Sequence, residues 1–126
     1  MSERLVTSYL LMMFLLLPVS IAAAQEKRLT LAQAEELVLN IPEAVNIKAR
    51  NGCPKSERLW VNEKQSNVFF QLRDPCDKSD SASNLIGNFT VDLKNGEIWT
   101  DIDRKANGSN VIDSPRLREL RKKFLG

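Results

Sequence analysis

The chain contains no histidine. That absence removes the commonest general base, and with it Ser-His-Asp and Cys-His nucleophile arrangements. Only two cysteines are present, Cys53 and Cys76. A thiolate zinc site would need two further ligands, and no Cys-x-x-Cys redox motif exists, so neither a metal nor a redox role is expected. The net charge is only +2. A protein that tracks a phosphate backbone needs a larger excess of cations, so no nucleic-acid partner is expected. No cofactor-binding motif is found either. The carboxylates Asp92, Asp101 and Asp103 lie on or beside a predicted hairpin, where charge ordinarily meets solvent, and no catalytic residue is assigned. Asp101-Ile102-Asp103 opens like a calcium loop, but Lys105, Ala106 and Ile112 stand where a ligand, a glycine and a glutamate are required.

The N-terminus carries a short apolar run. Residues 1–8 are polar with Arg4, residues 9–22 are apolar apart from Pro18 and Ser20, and Ala22-Ala23-Ala24 precede polar Gln25. A basic start, a short apolar stretch and small residues at −3 and −1 predict a signal peptide over 1–24. The run is short for a span of ~20 apolar residues, so no membrane span is expected after cleavage. The mature chain, 25–126, is about a hundred residues, one domain with one modest core. It is expected in the periplasm or outside the cell, where two cysteines most simply form a disulfide.

Periodicity outlines an α+β fold. Thr30 and Gln33 form a capping box, and Leu31, Ala34, Leu37, Val38 and Ile41 make one helical stripe that ends at Pro42. Residues 44–50 alternate as a strand does, although a short helix after Pro42 also fits. Asn51-Gly52 marks a turn. Leu59 and Val61 pair with Phe70 and Val68 in a hairpin around residues 62–67, and the same register sets Cys53 opposite Cys76. Closing that ~24-residue loop contributes roughly 3 kcal/mol. Residues 77–84 have loop composition. A second hairpin turns on Asn95-Gly96 as a two-residue type I′ turn, pairing Leu93 with Ile98, Val91 with Thr100 and Phe89 with Ile102. Residues 104–110 are polar, and Ser114-Pro115 opens a last helix with Leu117, Leu120 and Phe124 on one stripe. The expected architecture is an N-terminal helix packed on an antiparallel sheet of about four strands, followed by a C-terminal helix.

Two features suggest binding. Trp60, Phe69 and Trp99 fall on the sheet face opposite the core, among Gln71, Arg73, Asp92 and Asp101. Such an aromatic patch is an interaction surface unless a loop or helix covers it. The C-terminal helix is basic, and Arg118 and Lys122 point away from its apolar stripe toward any acidic partner.

The segment from Gly87 to Trp99, with its Asp92-x-x-x-Gly96-Glu97 turn, resembles the closing hairpin of PepSY-type exported domains. A cystatin-like or NTF2-like sheet fits the pattern equally, since the hairpin with Cys53 and Cys76 departs from PepSY. The PepSY resemblance implies an inhibitor-like or cell-envelope role, and it places no functional residue. The reading that follows is a non-catalytic exported binding module with a protein or peptide partner. The alternative is a small enzyme or ligand-pocket protein built in the concavity between helix and sheet.

Overall fold

The computed structural model describes residues 27–78 and 84–126. The expected signal peptide and its cleavage point lie outside the described residues, as does the middle of the polar connection at 77–84. Helix α1 (Leu31–Val38) and helix α2 (Pro42–Ala49) come first. Strands β1 (Lys55–Asn62), β2 (Asn67–Arg73), β3 (Leu85–Asp92), β4 (Ile98–Thr100) and β5 (Val111–Ile112) follow, and helix α3 (Pro115–Leu125) ends the chain. The strands form one antiparallel sheet in sequence order, with helices packed on one face. This is the expected α+β architecture, with a fifth, two-residue strand at the β4 edge.

The capping box of α1 forms as read. Thr30 Oγ1 accepts from the Gln33 amide at 3.1 Å, and Gln33 Oε1 accepts from the Thr30 amide at 3.0 Å. Both satisfy amides that have no partner inside the helix. Residues 44–49 are helix, not strand, and Arg50 is the C-cap. Pro42 at the first turn pre-sets helical φ, and Glu43 and Lys48 suit the two ends of the dipole. Ala44 and Ile47, three apart, are the buried pair, which is helical spacing. Asn51 takes a left-handed φ of 65° at the C-terminal end, and the Gly52 amide reaches the Ile47 carbonyl at 2.8 Å. That is a Schellman-type stop with asparagine in the glycine position.

The core lies between the helices and the inner sheet face. Leu37, Val38 and Ile41 meet Val68, Phe70 and Leu72 from β2, Phe89 and Val91 from β3, and Ile98 from β4, while Leu117 closes it from α3. The α3 cap is Ser114, whose Oγ accepts from the Leu117 amide at 3.1 Å.

Both hairpin registers differ from expectation in instructive ways. In the first, Val61 pairs with Val68 and Trp60 with Phe69, but Arg58 rather than Leu59 pairs with Phe70. Leu59 is a bulge residue. Leu59 and Val61 are exposed, because β1 is the edge strand and overhangs the helices. The bulge, together with Lys55 and Arg58, blunts this edge against pairing with other chains. The ladder ends at Lys55 and Arg73. Beyond it Cys53 and Cys76 are joined, with Cα atoms 5.4 Å apart. Asp74 holds that end together. Its Oδ1 accepts from the Cys53 amide at 2.9 Å and the Cys76 amide at 3.2 Å.

In the second hairpin, Val91 pairs with Ile98 and Phe89 with Thr100. The shift of two residues preserves which face each side chain occupies, but it replaces the type I′ turn by a four-residue loop over 93–96. Asp92 Oδ1 accepts from the Lys94 amide and Asn95 Oδ1 from the Glu97 amide, at 2.7 and 2.8 Å. Only Gly96 is left-handed, with φ at 74°; Asn95 is not. The longer loop sinks Leu93 into the core, where its amide donates to the Ser66 carbonyl and its carbonyl accepts from the Leu29 amide, each at 2.8 Å. Burial plus two backbone hydrogen bonds outweighs the tight turn. Gly96 also lies against α3, where a Cβ would come within 2.7 Å of the Arg121 side chain. Gly96→Val is therefore expected to cost about 1–3 kcal/mol or more, and Lys94→Ala, at an exposed position, close to nothing. Equal shifts in the two melting curves would contradict this loop.

Candidate functional site

Pairing across the sheet sets one row on the outer face: Trp60, Phe69, Thr90, Trp99 and Val111. The three aromatics singled out in the sequence thus share a face, but they are not equally available. Trp60 is 40 % exposed and stacks on Phe69, with ring centroids 5.5 Å apart. Phe69 is 8 % exposed beneath it. Trp99 is 5 % exposed. Its cover is the strap that follows β4. The Trp99 indole N–H donates to the Ile102 carbonyl at 3.0 Å, and the Thr90 hydroxyl donates to the Asp101 carbonyl at 2.6 Å. Asp101 takes a left-handed φ of 67° to make this turn, and its amide donates to the Asn88 carbonyl at 3.0 Å. Asn110 braces the strap from inside, its amide group donating to the Thr100 and Asp103 carbonyls at 2.7 and 2.9 Å and accepting from the Lys105 amide.

Ile102 therefore does not pair with Phe89. It belongs to the strap, half exposed, while its carbonyl serves Trp99. The outer face is divided. Its β4 half is filled by the protein's own chain, and its β1–β2 half presents the Trp60–Phe69 stack. A shallow cavity of about 460 Å³ lies at the boundary, lined by Phe69, Asn88 and the strap.

The basic helix is also partly committed. Arg118 and Arg121 both bind Asp113, at 2.9 and 2.7 Å, and Arg116 donates to Asn40 Oδ1 at 2.6 Å. Arg118 is engaged within the fold, while Lys122 remains exposed. Burial works to raise the Asp113 carboxyl, but hydrogen bonds from Arg121, Arg118 and the Ser114 amide outweigh it and hold the carboxyl below its ordinary value. A carboxyl depressed in the folded state contributes stability that is present above its unfolded value and lost as pH falls through the folded value. Asp113→Asn is thus expected to lower stability modestly at neutral pH and to flatten the acid limb, parent and variant converging at low pH, as read by melting curves from neutral into the acid range.

Neither a family model, nor a curated protein, nor a solved structure matches the chain. Function is therefore argued from the site itself. Cys53, Asp74 and Cys76 gather their ligand atoms within 4.8 Å. The sulfurs are bonded to each other, and Asp74 Oδ1 already accepts two amides, so this cluster is a structural staple. A groove of about 680 Å³ runs between α1, α2 and the Cys53-Pro54 turn, with Glu36, Lys48 and Arg116 on its walls. It lies outside the helix–sheet interior, which is packed with the core side chains. Among the described residues, no helix is long and apolar enough to cross a membrane.

Sequence reasoning found Trp60 and Phe69 through their parity. It missed the strap, because residues 101–110 carry no periodic signal. Asn110 is the residue that organises the strap, and its role depends on contacts the sequence does not order. Asp74 was missed for the same reason.

Proposed function

We propose that this chain is a non-catalytic exported binding module that receives a protein or peptide partner on the open half of its outer sheet face. The observation that carries this reading is Trp60: a large indole, 40 % exposed, held in place by stacking on an almost buried Phe69. A rigid aromatic in a fixed orientation loses little freedom on binding, and such residues concentrate interface energy. An inhibitor-like role suits a small disulfide-closed domain of this kind, in the periplasm or outside the cell. The alternative, a small enzyme or ligand-pocket protein, needs room in the helix–sheet concavity. Phe70, Leu37, Ile41 and Leu72 fill that space with almost no exposure, which favours the binding-module reading.

Trp60→Ala tests it. Capture of a partner from a cell-envelope extract is expected to fall at least tenfold. Stability is expected to change by about 1 kcal/mol or less, since the ring is only partly removed from water. Undiminished capture by Trp60→Ala would move the partner surface elsewhere, first to Lys122 and Arg118 on α3.

A further inference from the structure

We propose that one end of the domain docks on the anionic surface of a phospholipid membrane, through cations that four separate segments of the chain bring together. The segments are residues 27–29, the turn over 63–66, the loop over 93–96 and the last turn of α3. Hydrogen bonds tie the first three: the Leu29 amide donates to the Leu93 carbonyl and the Leu93 amide to the Ser66 carbonyl, each at 2.8 Å. Helix α3 joins them where Gly96 lies on the Arg121 side chain, and Lys27 Nζ is 3.9 Å from the position a Cβ on Gly126 would take. This end therefore carries Lys27, Arg28, Lys64, Lys94, Lys122 and Lys123, all exposed. None of them makes an ion pair among the described residues. The carboxylates in or beside the same segments are fewer: Glu63, Asp92 and Glu119. Asp92 is turned to its own loop, where it accepts from the Lys94 amide at 2.7 Å.

Helix stabilisation accounts for part of this gathering only. Lys122 and Lys123 suit the C-terminal end of the α3 dipole. Lys27 and Arg28 precede the N-terminus of α1, where a dipole disfavours cations, and Lys64 and Lys94 sit in turns. The small net charge of +2 hides this asymmetry. Unpaired like charges repel one another, and a negative surface relieves that repulsion. The chain itself points to a bilayer as that surface. Four residues separate the apolar run over 9–22 from Lys27. So short a stretch reaches at most ~18 Å. Whenever the run sits in a membrane, this end is the one held against the headgroups. The exposed large apolar side chains, Leu59, Trp60, Val61, Leu85 and Ile102, all lie outside the four segments. The contact is therefore electrostatic and reversible, not an insertion.

Vesicle co-sedimentation tests it, with neutral phosphatidylcholine against the same lipid containing about a third phosphatidylglycerol. The quantity read is the ratio of binding to anionic over neutral vesicles, which cancels any contribution of the apolar run. The protein from the exported fraction should show a ratio well above one that falls steeply as salt is raised. Each cation at such a surface strengthens binding about fivefold. The triple change Lys94→Gln, Lys122→Gln and Lys123→Gln should therefore lower the ratio at least tenfold. Lys48→Gln, Lys78→Gln and Lys105→Gln together remove the same charge from exposed positions outside the four segments, and should lower it far less. Inorganic phosphate should not displace the protein beyond the effect of chloride at matched ionic strength. A ratio near one at low salt would overturn the proposal, as would equal losses from the two triple changes. Displacement by inorganic phosphate would reassign the cations to a small-anion site. Tighter binding to duplex DNA than to anionic vesicles at matched ionic strength would reassign them to nucleic acid. Either result would also overturn the membrane surface.

Discussion

Replacing Trp99 by alanine is expected to cost about 3–5 kcal/mol of stability, the range for removing a buried large aromatic. The ring is 5 % exposed, and it is the anchor of the strap. Removing it leaves a cavity over β4 and frees the Ile102 carbonyl. The Thr90 hydroxyl bond to the Asp101 carbonyl and the Asp101 amide bond to the Asn88 carbonyl are then left to hold the strap's start. Two effects should therefore appear together: a large drop in melting temperature and faster amide exchange across residues 101–110. For a domain of this size each 1 kcal/mol moves the midpoint by roughly 4–8 °C, so the drop should be unmistakable. Trp99→Phe should recover most of the packing but not the indole hydrogen bond, and should sit between the two. Trp60→Ala on the same sheet row should leave the melting curve nearly in place. The contrast between two tryptophans of one row is the sharpest consequence of the divided face.

Converting both Cys53 and Cys76 to serine is expected to destabilise the domain by about 2–4 kcal/mol. The bond closes the β1–β2 hairpin beyond the end of its ladder, beside the Cys53 amide bond to Asp74 Oδ1 that also links the two sides. No free cysteine exists among the described residues, so denaturing thiol labelling without reductant should find none. Asp74→Ala should also destabilise, by about 1–3 kcal/mol, through the loss of an acceptor shared by two amides. The two changes meet at one place and should not be additive. Unaltered stability after the double serine change would show that the hairpin end is held by something else.

Much of this fold was legible in the sequence, and the failures have physical causes. The Thr30–Gln33 box and the stripe from Leu31 to Ile41 are local signals, and local signals survived intact. Side-chain parity along β2, β3 and β4 was also readable, because a face assignment depends only on alternation. Register was not. A bulge at Leu59 and a four-residue loop before Glu97 are decided by which chain Leu93 and Arg58 meet, and those partners are remote in sequence. Val45, Ile47 and Ala49 read as a strand because three alternating apolar residues cannot distinguish the two periods. The helix won through Pro42 and the burial of Ala44 and Ile47. For the candidate site, parity placed Trp60, Phe69 and Trp99 on one row. It could not say that a polar strap would cover Trp99, or that Asp113 would occupy Arg118.

Oxidative footprinting of the two tryptophans, with and without the captured partner, tests the central claim most directly. In the free protein Trp60 should oxidise readily and Trp99 hardly at all, matching their exposures of 40 % and 5 %. With partner bound, Trp60 should become protected while Trp99 stays unreactive. Trp60 that oxidises at the same rate in the complex as in the free protein would contradict a binding face at this end of the sheet.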